Sequence, residues 1–245
     1  VIVSALGGTT DALLNCGTQA ASGTEEFKTT LAEIEQRHFE AVKELLPIQH
    51  QSATLSLVKK HCNDLEDICN GVFLLSEISS RTRDRIVSYG ELLSSQIITA
   101  AFTANGHNAG WKDARELIRT NSDYGQALVD FPNTDKLIQE YFDTDKHEIL
   151  VIPGFISANA KGATTTLGRG GSDYTAAIFA SALQSHILEI WTDVSGMMTA
   201  DPRWVSNVRI IPSISYQEAM ELSHFGAKVI YPPTIQPVML KNIPV

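Results

Sequence analysis

The sequence predicts an α/β fold: a three-layer αβα sandwich with a mostly parallel central sheet. Two observations carry this prediction. Short apolar runs, such as residues 1–5 and 147–156, alternate with longer segments whose apolar residues recur at helical spacing. Several of the apolar runs end in glycines and hydroxyl residues, and open α/β sheets bind ligands at the carboxyl ends of their strands. We therefore expect right-handed crossovers and a ligand crevice along that edge.

Length, composition and charge favour a soluble globular protein that binds small molecules. The 245 residues suffice for one large domain or two lobes, with 43% hydrophobic and 19% charged residues. No apolar run has the length of a membrane span, so we expect a soluble protein without a membrane partner. The net charge is −9 and the basic residues are scattered, which argues against a nucleic-acid partner and favours small molecules.

The three cysteines predict a reducing environment. Cys16, Cys62 and Cys69 form no CxxC pair, and the last two lie seven residues apart beside Leu65 on one helical face. We interpret them as reduced core residues. No signal-peptide pattern precedes them, so we expect a cytoplasmic protein.

Residues 1–14 predict a strand, a glycine turn and the start of a helix. The hydroxyls of Ser4, Thr9 and Thr10 then lie at the carboxyl end of a strand, where they are candidates for ligand contacts. The alternative is that Thr10 or Asp11 simply caps the next helix.

Two amphipathic helices should follow, one over residues 25–46 with Pro47 as its stop, the other through residues 55–72. They predict a helical insertion near the N-terminus that carries a dimer contact or caps a site. His38 and His61 lie in these helices without matching ligands, so they are interpreted as ordinary helix residues, and no metal site made of protein side chains is predicted.

A third helix is predicted over residues 81–106 and contains the motif Ser-Tyr-Gly-Glu at 88–91. A glycine inside a helix costs about 1 kcal/mol relative to alanine. Gly90 therefore indicates close approach of another backbone or a ligand beside Glu91. The alternative is that Glu91 is a solvated surface residue.

The next segment returns to the sheet. Residues 111–120 predict a strand and turn leading to a polar loop at 121–125. A helix through residues 137–142 precedes the run 147–156, which is apolar on both faces and is typical of a central parallel strand.

An anion-binding turn follows at residues 164–173. Gly168 and Gly170 permit positive φ, and a helix starting near Ser172 directs unpaired amides at a ligand. Arg169 supplies a planar fork for a carboxylate or phosphate, and Asp173 suits an ammonium. The alternative is a plain glycine-rich connection capped by Ser172.

The C-terminal part predicts a helix at 174–185, a strand at 187–191 that ends in Thr192 and Asp193, and a turn at 198–203. A capping-box sequence at 215–218 opens a helix that Gly226 closes. Arg203 and Lys228 are then candidates for phosphate contacts, and the alternative is that each is a surface cation.

These residues form two sets. The first mixes hydroxyls, one cation and two anions, which suits a small zwitterionic acid: Ser4, Thr10, Glu91, Arg169, Ser172 and Asp173. The second suits a nucleotide polyphosphate with its metal: Thr192, Asp193, Arg203 and Lys228. The sequence has no Walker motif, kinase H-R-D motif or recognisable nucleophile pairing. Phosphoryl transfer to an ionised carboxylate needs no base, because the acceptor has no proton to lose.

Taken in order, the motifs closely resemble aspartokinase, of the amino acid kinase superfamily. They are Ser4-Ala5 with Thr10, Ser88 to Glu91, residues 164–173, Ile190-Trp191-Thr192-Asp193-Val194, residues 199–203 and Phe225-Gly226-Ala227-Lys228-Val229. They span nearly the whole chain. Residues 215–228 resemble most the bifunctional aspartokinase/homoserine dehydrogenase branch.

The resemblance implies the amino acid kinase fold and ATP-dependent phosphorylation of the side-chain carboxylate of L-aspartate, the first step towards lysine, threonine and methionine. It implies an aspartate-binding lobe at about residues 1–160, a nucleotide-binding lobe at about 161–245, ATP and Mg²⁺ as cofactors, and a homo-oligomer. Arg169 would hold the α-carboxylate and Glu91 and Asp173 the ammonium, in a pocket that Ser4, Thr10 and Ser172 also line. The nucleotide would contact Thr192, Asp193, Met198, Arg203 and Lys228, and the catalytic residues would be Arg169, Asp173 and Lys228.

Three departures from the family pattern qualify this expectation. Family members begin with a strand bearing Lys-Phe-Gly-Gly-Thr, whose lysine stabilises the transferred phosphoryl group, and Val1 comes after it. We therefore expect an excerpt, truncated at both ends, that is impaired by itself. Met198 stands where the family usually has tyrosine, and no ACT-type regulatory region follows Val245. Two alternatives stay open: a kinase for another acid such as acetylglutamate, against which Glu91 argues, and a non-catalytic binding or dimerisation fragment.

Overall fold

The computed structural model describes residues 1–227 and 229–245. Their helices and strands alternate as the sequence predicts. In chain order they are β1 (Ile2–Val3), α1 (Thr9–Ala21), α2 (Glu26–Leu45), α3 (Ile48–Leu75), α4 (Ser80–Ala104), β2 (Ala109–Trp111), α5 (Ala114–Leu117), β3 (Arg119–Thr120), α6 (Phe131–Phe142), β4 (Ile149–Pro153), β5 (Ile156–Asn159), β6 (Thr164–Thr166), α7 (Gly171–Ala182), α8 (Tyr216–His224) and α9 (Pro232–Met239).

The strands form two three-stranded sheets, in the orders β1-β4-β2 and β3-β5-β6. The pairs β1·β4, β2·β4 and β3·β5 are parallel, and β5·β6 is antiparallel. Val3 is in register with Pro153, so the chain leaves β1 and β4 at the same carboxyl edge. Helix α4 lies against β1, β2, β4 and β6, and α7 lies against β1. The predicted α/β class with a mostly parallel sheet is confirmed.

The single strand predicted over residues 147–156 is wrong, because the chain changes sheets inside it. Strand β4 ends at Pro153 and β5 begins at Ile156. The Gly154 N–H still donates to Val3 at 2.9 Å, whereas the Phe155 carbonyl already accepts from Leu167 at 2.9 Å. Phe155 makes this turn with φ at +65°, a conformation that a bulky residue seldom adopts.

The predicted helical insertion is confirmed as α2 and α3. Its inner face joins α1 in a core that contains Phe27, Leu65, Cys16 and Cys69. The two sulfur atoms of Cys16 and Cys69 lie 3.5 Å apart, and all three cysteines are free and buried. The interpretation of the cysteines as core residues is therefore confirmed, and the reducing environment stays a prediction.

Three further element predictions need correction. Residues 187–191 form no strand. The Leu188 N–H donates to the Pro244 carbonyl at 2.8 Å, but one such hydrogen bond does not make the ladder that defines a strand. Residues 114–117 form the short helix α5, capped by Asp113, where a strand and turn were expected. Helix α7 begins at Gly171 and ends at Ala182, three residues earlier at each end than predicted.

The predicted capping box is confirmed. The Ser215 hydroxyl accepts from the Glu218 amide, and the Glu218 carboxylate accepts from the Ser215 amide at 2.9 Å. In the part of the chain that the structure describes, no helix combines the length and apolar character needed to cross a membrane.

Candidate active site

The turn between β1 and α1 forms one wall of a cleft of about 530 Å³, here called the Arg169 cleft. Ser4 and the half-buried Thr10 both line it. Helix α1 has Gly8 as its N-cap, at φ +79° and without a side-chain cap, so the alternative that Thr10 or Asp11 caps this helix is wrong. The Ser94 hydroxyl donates to the Ser4 carbonyl at 2.6 Å, which ties this turn to α4.

Helix α4 places Glu91 in the same cleft. The side chain is only 4% exposed, and its Oε2 atom has no hydrogen-bond partner among the described residues. Burial raises the pKa of Glu91 to about 7. Hydrogen bonds from the backbone of Ala5 and of Glu91 itself lower this pKa, but by less than burial raises it. The alternative of a solvated surface glutamate is wrong, and the buried carboxyl is suited to a cationic ligand.

Gly90 allows this wall to close. A Cβ atom at Gly90 would lie 2.8 Å from the Cβ atom of Ala5, nearer than carbon atoms pack. The close approach predicted from a glycine inside a helix is therefore confirmed, and the neighbour is the turn after β1. The packing brings Glu91 beside Ser4 and Thr10.

The loop from Gly168 to Gly171 forms the opposite wall. Gly168 and Gly170 have φ values of +75° and +68°, and Gly170 is the N-cap of α7. Ser172 therefore lies in the first turn of α7. The alternative that Ser172 caps this helix is wrong. The Arg169 guanidinium carbon lies 5.6 Å from the centre of the Tyr231 ring, a cation–π distance that orients its fork.

Asp173 is the second carboxyl of the cleft. It lies in the first turn of α7, where the free amides of the helix favour negative charge. Its side chain is half-buried, and burial raises its pKa. With Ser172 it also lines the Arg169 cleft, so the structure brings together all six residues of the predicted acid-binding set.

The sequence analysis missed several residues that line this cleft, among them Phe155, Arg83 and Asp84. Phe155 lines it in the positive-φ turn after β4, and nothing in the sequence marks that conformation. Arg83 lines it from α4, eight residues before Glu91, and its place on the helical face of Glu91 was a usable signal.

The structure brings together only some of the predicted nucleotide-binding residues. Thr192 and Asp193 line a cavity of about 810 Å³, here called the Thr192 cavity, whose other walls include Tyr216 and Ile230. The Thr192 hydroxyl donates to the Asp193 carboxylate at 3.1 Å. This cavity is lined by neither Met198, which bridges to Ile210, nor Arg203.

Arg203 binds within its own turn. Its guanidinium contacts the Asp201 carboxylate at 2.6 Å; Arg203 is exposed and Asp201 is half-buried. The carboxylate raises the pKa of Arg203. Lys228, the other predicted phosphate contact, lies outside the described residues.

A third cavity of about 480 Å³ shares Arg169 and Asp173 with the Arg169 cleft and Ile230 with the Thr192 cavity. It is lined by Arg169 and Asp173 on one side and by Gly226, Ala227 and Tyr231 on the other. Arg169 and Asp173 therefore face both this cavity and the Arg169 cleft. Within residues 1–227 and 229–245, no three histidine, cysteine, aspartate or glutamate side chains are grouped to hold a metal ion.

Comparison with known proteins places these features in a family. The model of the amino acid kinase family matches residues 1–245. The chloroplastic bifunctional aspartokinase/homoserine dehydrogenase 2 of Zea mays is 37% identical over 246 residues, which are 100% of this chain and 27% of that protein. The lysine-sensitive aspartokinase 3 of Escherichia coli is 40% identical over 188 residues, which are 74% of this chain and 42% of that protein.

The solved structures agree with this placement. Escherichia coli aspartokinase III in complex with aspartate and ADP matches with a TM-score of 0.88 at 33% identity, over 98% of this chain and 53% of that chain. Clostridium acetobutylicum aspartate kinase matches with a TM-score of 0.74 at 30% identity, over 96% and 48% of the respective chains. The chain thus spans about half of the solved structures and about a quarter of the bifunctional relative.

Proposed function

The chain belongs to the amino acid kinase family, and on this premise we propose that it is the catalytic domain of an aspartokinase. The reaction moves the γ-phosphoryl group of ATP to the side-chain carboxylate of L-aspartate. An oxygen of the carboxylate forms the new bond to phosphorus as the bond to the β-phosphate oxygen breaks, and ADP leaves with that electron pair. No proton is transferred.

One observation carries the proposal: the Arg169 cleft collects one guanidinium, two carboxyl groups and several hydroxyls in about 530 Å³. L-aspartate offers the complementary groups, two carboxylates and one ammonium. Arg169 would hold the α-carboxylate through two hydrogen bonds. Glu91 and Asp173 would hold the ammonium, whose charge favours ionisation of both carboxyls against the burial that raises their pKa values.

The nucleotide would occupy the Thr192 cavity, with its phosphates directed through the Tyr231-lined cavity towards Arg169 and Asp173. Mg²⁺ would enter bound to ATP, as is usual where phosphates supply most of its ligands. Positioning and charge neutralisation then carry the catalysis, since the acceptor needs no base. Lys228 and Arg203 remain predicted phosphate contacts, and Arg203 would first have to exchange Asp201 for the nucleotide.

Several finer assignments also remain predictions. They include the lobe boundary near residue 160, the homo-oligomer, the cytoplasmic location, the lysine and threonine pathways, and membership of the bifunctional branch. Relatives support the last of these, because five chloroplastic bifunctional enzymes are 31–37% identical over the whole chain.

The test is hydroxylamine trapping of the acyl phosphate together with ADP release, with L-aspartate and Mg-ATP. We would assay this chain and the same chain extended by a strand bearing Lys-Phe-Gly-Gly-Thr. Turnover in the extended chain, with N-acetyl-L-glutamate inactive as acceptor, is the expected result. Two folded proteins that bind aspartate without turnover would favour a binding fragment, and a preference for N-acetyl-L-glutamate would identify another acid kinase.

Arg169→Lys tests the role of the cleft in the active form. Lysine keeps the charge but loses the fork and its position over Tyr231, so the KM for L-aspartate should rise about tenfold while that for ATP changes little. Arg37→Lys, on the exposed face of α2, is the matched control. Equal KM values for the two variants would remove Arg169 from the acceptor site.

A further inference from the structure

We propose that Asp84 is a positioning residue that fixes the Arg169 loop relative to Glu91 and so sets the affinity for the acceptor. The proposal rests on the aspartokinase function proposed above. It concerns a buried carboxyl that no step of that chemistry uses.

Asp84 is held by three hydrogen bonds from other parts of the chain. Its Oδ2 atom accepts the backbone N–H groups of Gly125 and Thr166, each at 2.9 Å, and its Oδ1 atom accepts the Thr166 hydroxyl at 3.1 Å. The side chain is 2% exposed. Burial raises the pKa of Asp84 and these hydrogen bonds oppose the rise. Since protein donors occupy both oxygens, Asp84 is a junction and not a ligand for the acceptor.

The junction joins the two walls of the Arg169 cleft. Thr166 ends β6, three residues before Arg169. Asp84 and Glu91 are seven residues apart on α4, which places them on one helical face about 10 Å apart. Asp84 therefore couples the helix that carries Glu91 directly to the strand that delivers Arg169.

Gly125 contacts the Arg169 loop at a second point, next to Gly168. Its carbonyl oxygen would lie 3.3 Å from a Cβ atom at Gly168, and Gln126 packs at the same distance. The hydrogen bond from the Gly125 amide to Asp84 thus holds the polar loop of residues 121–125 against Gly168, where the loop that carries Arg169 begins. Loss of Asp84 should free both the polar loop and the Arg169 turn. Asp84, Gly125 and Thr166 are not among the described residues that line the Thr192 cavity, so that cavity should change less.

The test uses the chain extended by the Lys-Phe-Gly-Gly-Thr strand, as in the assay above, with variants Asp84→Ala and Asp84→Asn. Alanine leaves two buried amides without an acceptor, so the Kd for L-aspartate should rise about tenfold. Amide hydrogen exchange in residues 167–171 should accelerate by a similar factor, with the Kd for ATP changed less than about twofold. Asparagine should largely rescue both, because its oxygen accepts the two amides and its NH₂ group donates to the Thr166 hydroxyl.

Asp113→Ala is the matched control. Asp113 is also buried, it accepts hydrogen bonds from Arg115 at the start of α5, and it does not line the Arg169 cleft. Arg115 also donates to the Thr164 hydroxyl of β6 at 3.2 Å, so this control disturbs the same strand without removing a bond to Thr166 or Gly125. It should lower stability without moving the Kd for L-aspartate or the exchange of residues 167–171. If Asp84→Ala does not fold, Thr166→Val removes one of the three bonds and should give a smaller change in the same direction.

The proposal is overturned if Asp84→Ala leaves the exchange of residues 167–171 unchanged, or if Asp113→Ala produces the same changes. A wild-type protein that binds no L-aspartate would instead refute the proposed function. The exchange measurements then still decide whether Asp84 holds the Arg169 loop.

Discussion

Glu91→Gln should abolish a pH dependence of stability that the ligand-free protein owes to one buried carboxyl. The pKa of Glu91 is about 7, against an ordinary value of 4.5. Folded Glu91 therefore binds its proton more tightly than the unfolded chain does. The stability from this group is present at low pH and is lost as the pH rises from 4.5 to about 7.

The magnitude follows from the two pKa values. Each unit of difference is worth about 1.4 kcal/mol, so ionisation of Glu91 costs the folded state about 3 kcal/mol by about pH 8. Glutamine has nearly the same shape and no charge to bury. Relative to wild type, Glu91→Gln should gain about 2.5 kcal/mol between about pH 5 and pH 8, whatever constant difference its contacts add.

Urea unfolding followed by far-UV circular dichroism at the two pH values measures this change. Glu44→Gln, on the exposed face of α2, is the control and should behave as wild type at both. Saturating L-aspartate should stabilise the wild type at the higher pH and have little effect on Glu91→Gln. A stability difference between Glu91→Gln and wild type that is the same at both pH values would refute the reasoning.

Three further predictions concern packing, capping and the thiols. Gly171→Ala should lower the free energy of unfolding by about 2 kcal/mol, because a Cβ atom there lies 2.6 Å from Cδ2 and 3.1 Å from Cα of Phe155. Ser215→Ala should cost about 1 kcal/mol through loss of the capping box, measured by the urea midpoint. All three cysteines are buried, and burial raises the pKa of Cys62 to about 12, so the native protein should react with a thiol-specific disulfide reagent only as it unfolds.

The first two of these predictions have matched control variants. Gly71→Ala, at a helical position with open space around it, should stabilise slightly, and an equal loss at both glycines would contradict the packing argument. Ser215→Asp should keep the cap and most of the stability. Rapid thiol reaction in buffer, at a rate independent of denaturant, would show that the cysteines are accessible without unfolding.

Local patterns were sufficient for much of the fold. Helices α2 and α3 follow from apolar spacing, because each buries one long stripe whose period is visible in the chain. Helix α4 was also predicted from its apolar spacing, although residues 86–95 are buried on all its sides. The capping box at Ser215 follows from residues three apart. The same local logic placed Arg169 between glycines at the start of a helix, and it placed Ser4 and Thr10 after a strand.

Local patterns failed where the outcome depended on a distant partner. The run 147–156 is apolar throughout, and only the pairing of Gly154 with Val3 and of Phe155 with Leu167 divides it into two strands. Residues 187–191 have a strand composition, yet a strand forms only with a hydrogen-bonded neighbour. Arg203 has the charge of a phosphate ligand, but its nearest carboxylate, Asp201, holds it.

The sequence by itself determined the class of fold, the helical insertion and the chemical character of the Arg169 cleft, because these depend on spacing along the chain. Only the tertiary structure decided that Glu91 is buried, that Phe155 turns into the cleft and that Asp84 joins α4 to β6. These properties come from groups far apart in the chain that meet in space, such as Asp84 and Thr166, which are 82 residues apart. Desolvation and hydrogen bonding depend on that meeting, and no local pattern of residues encodes it.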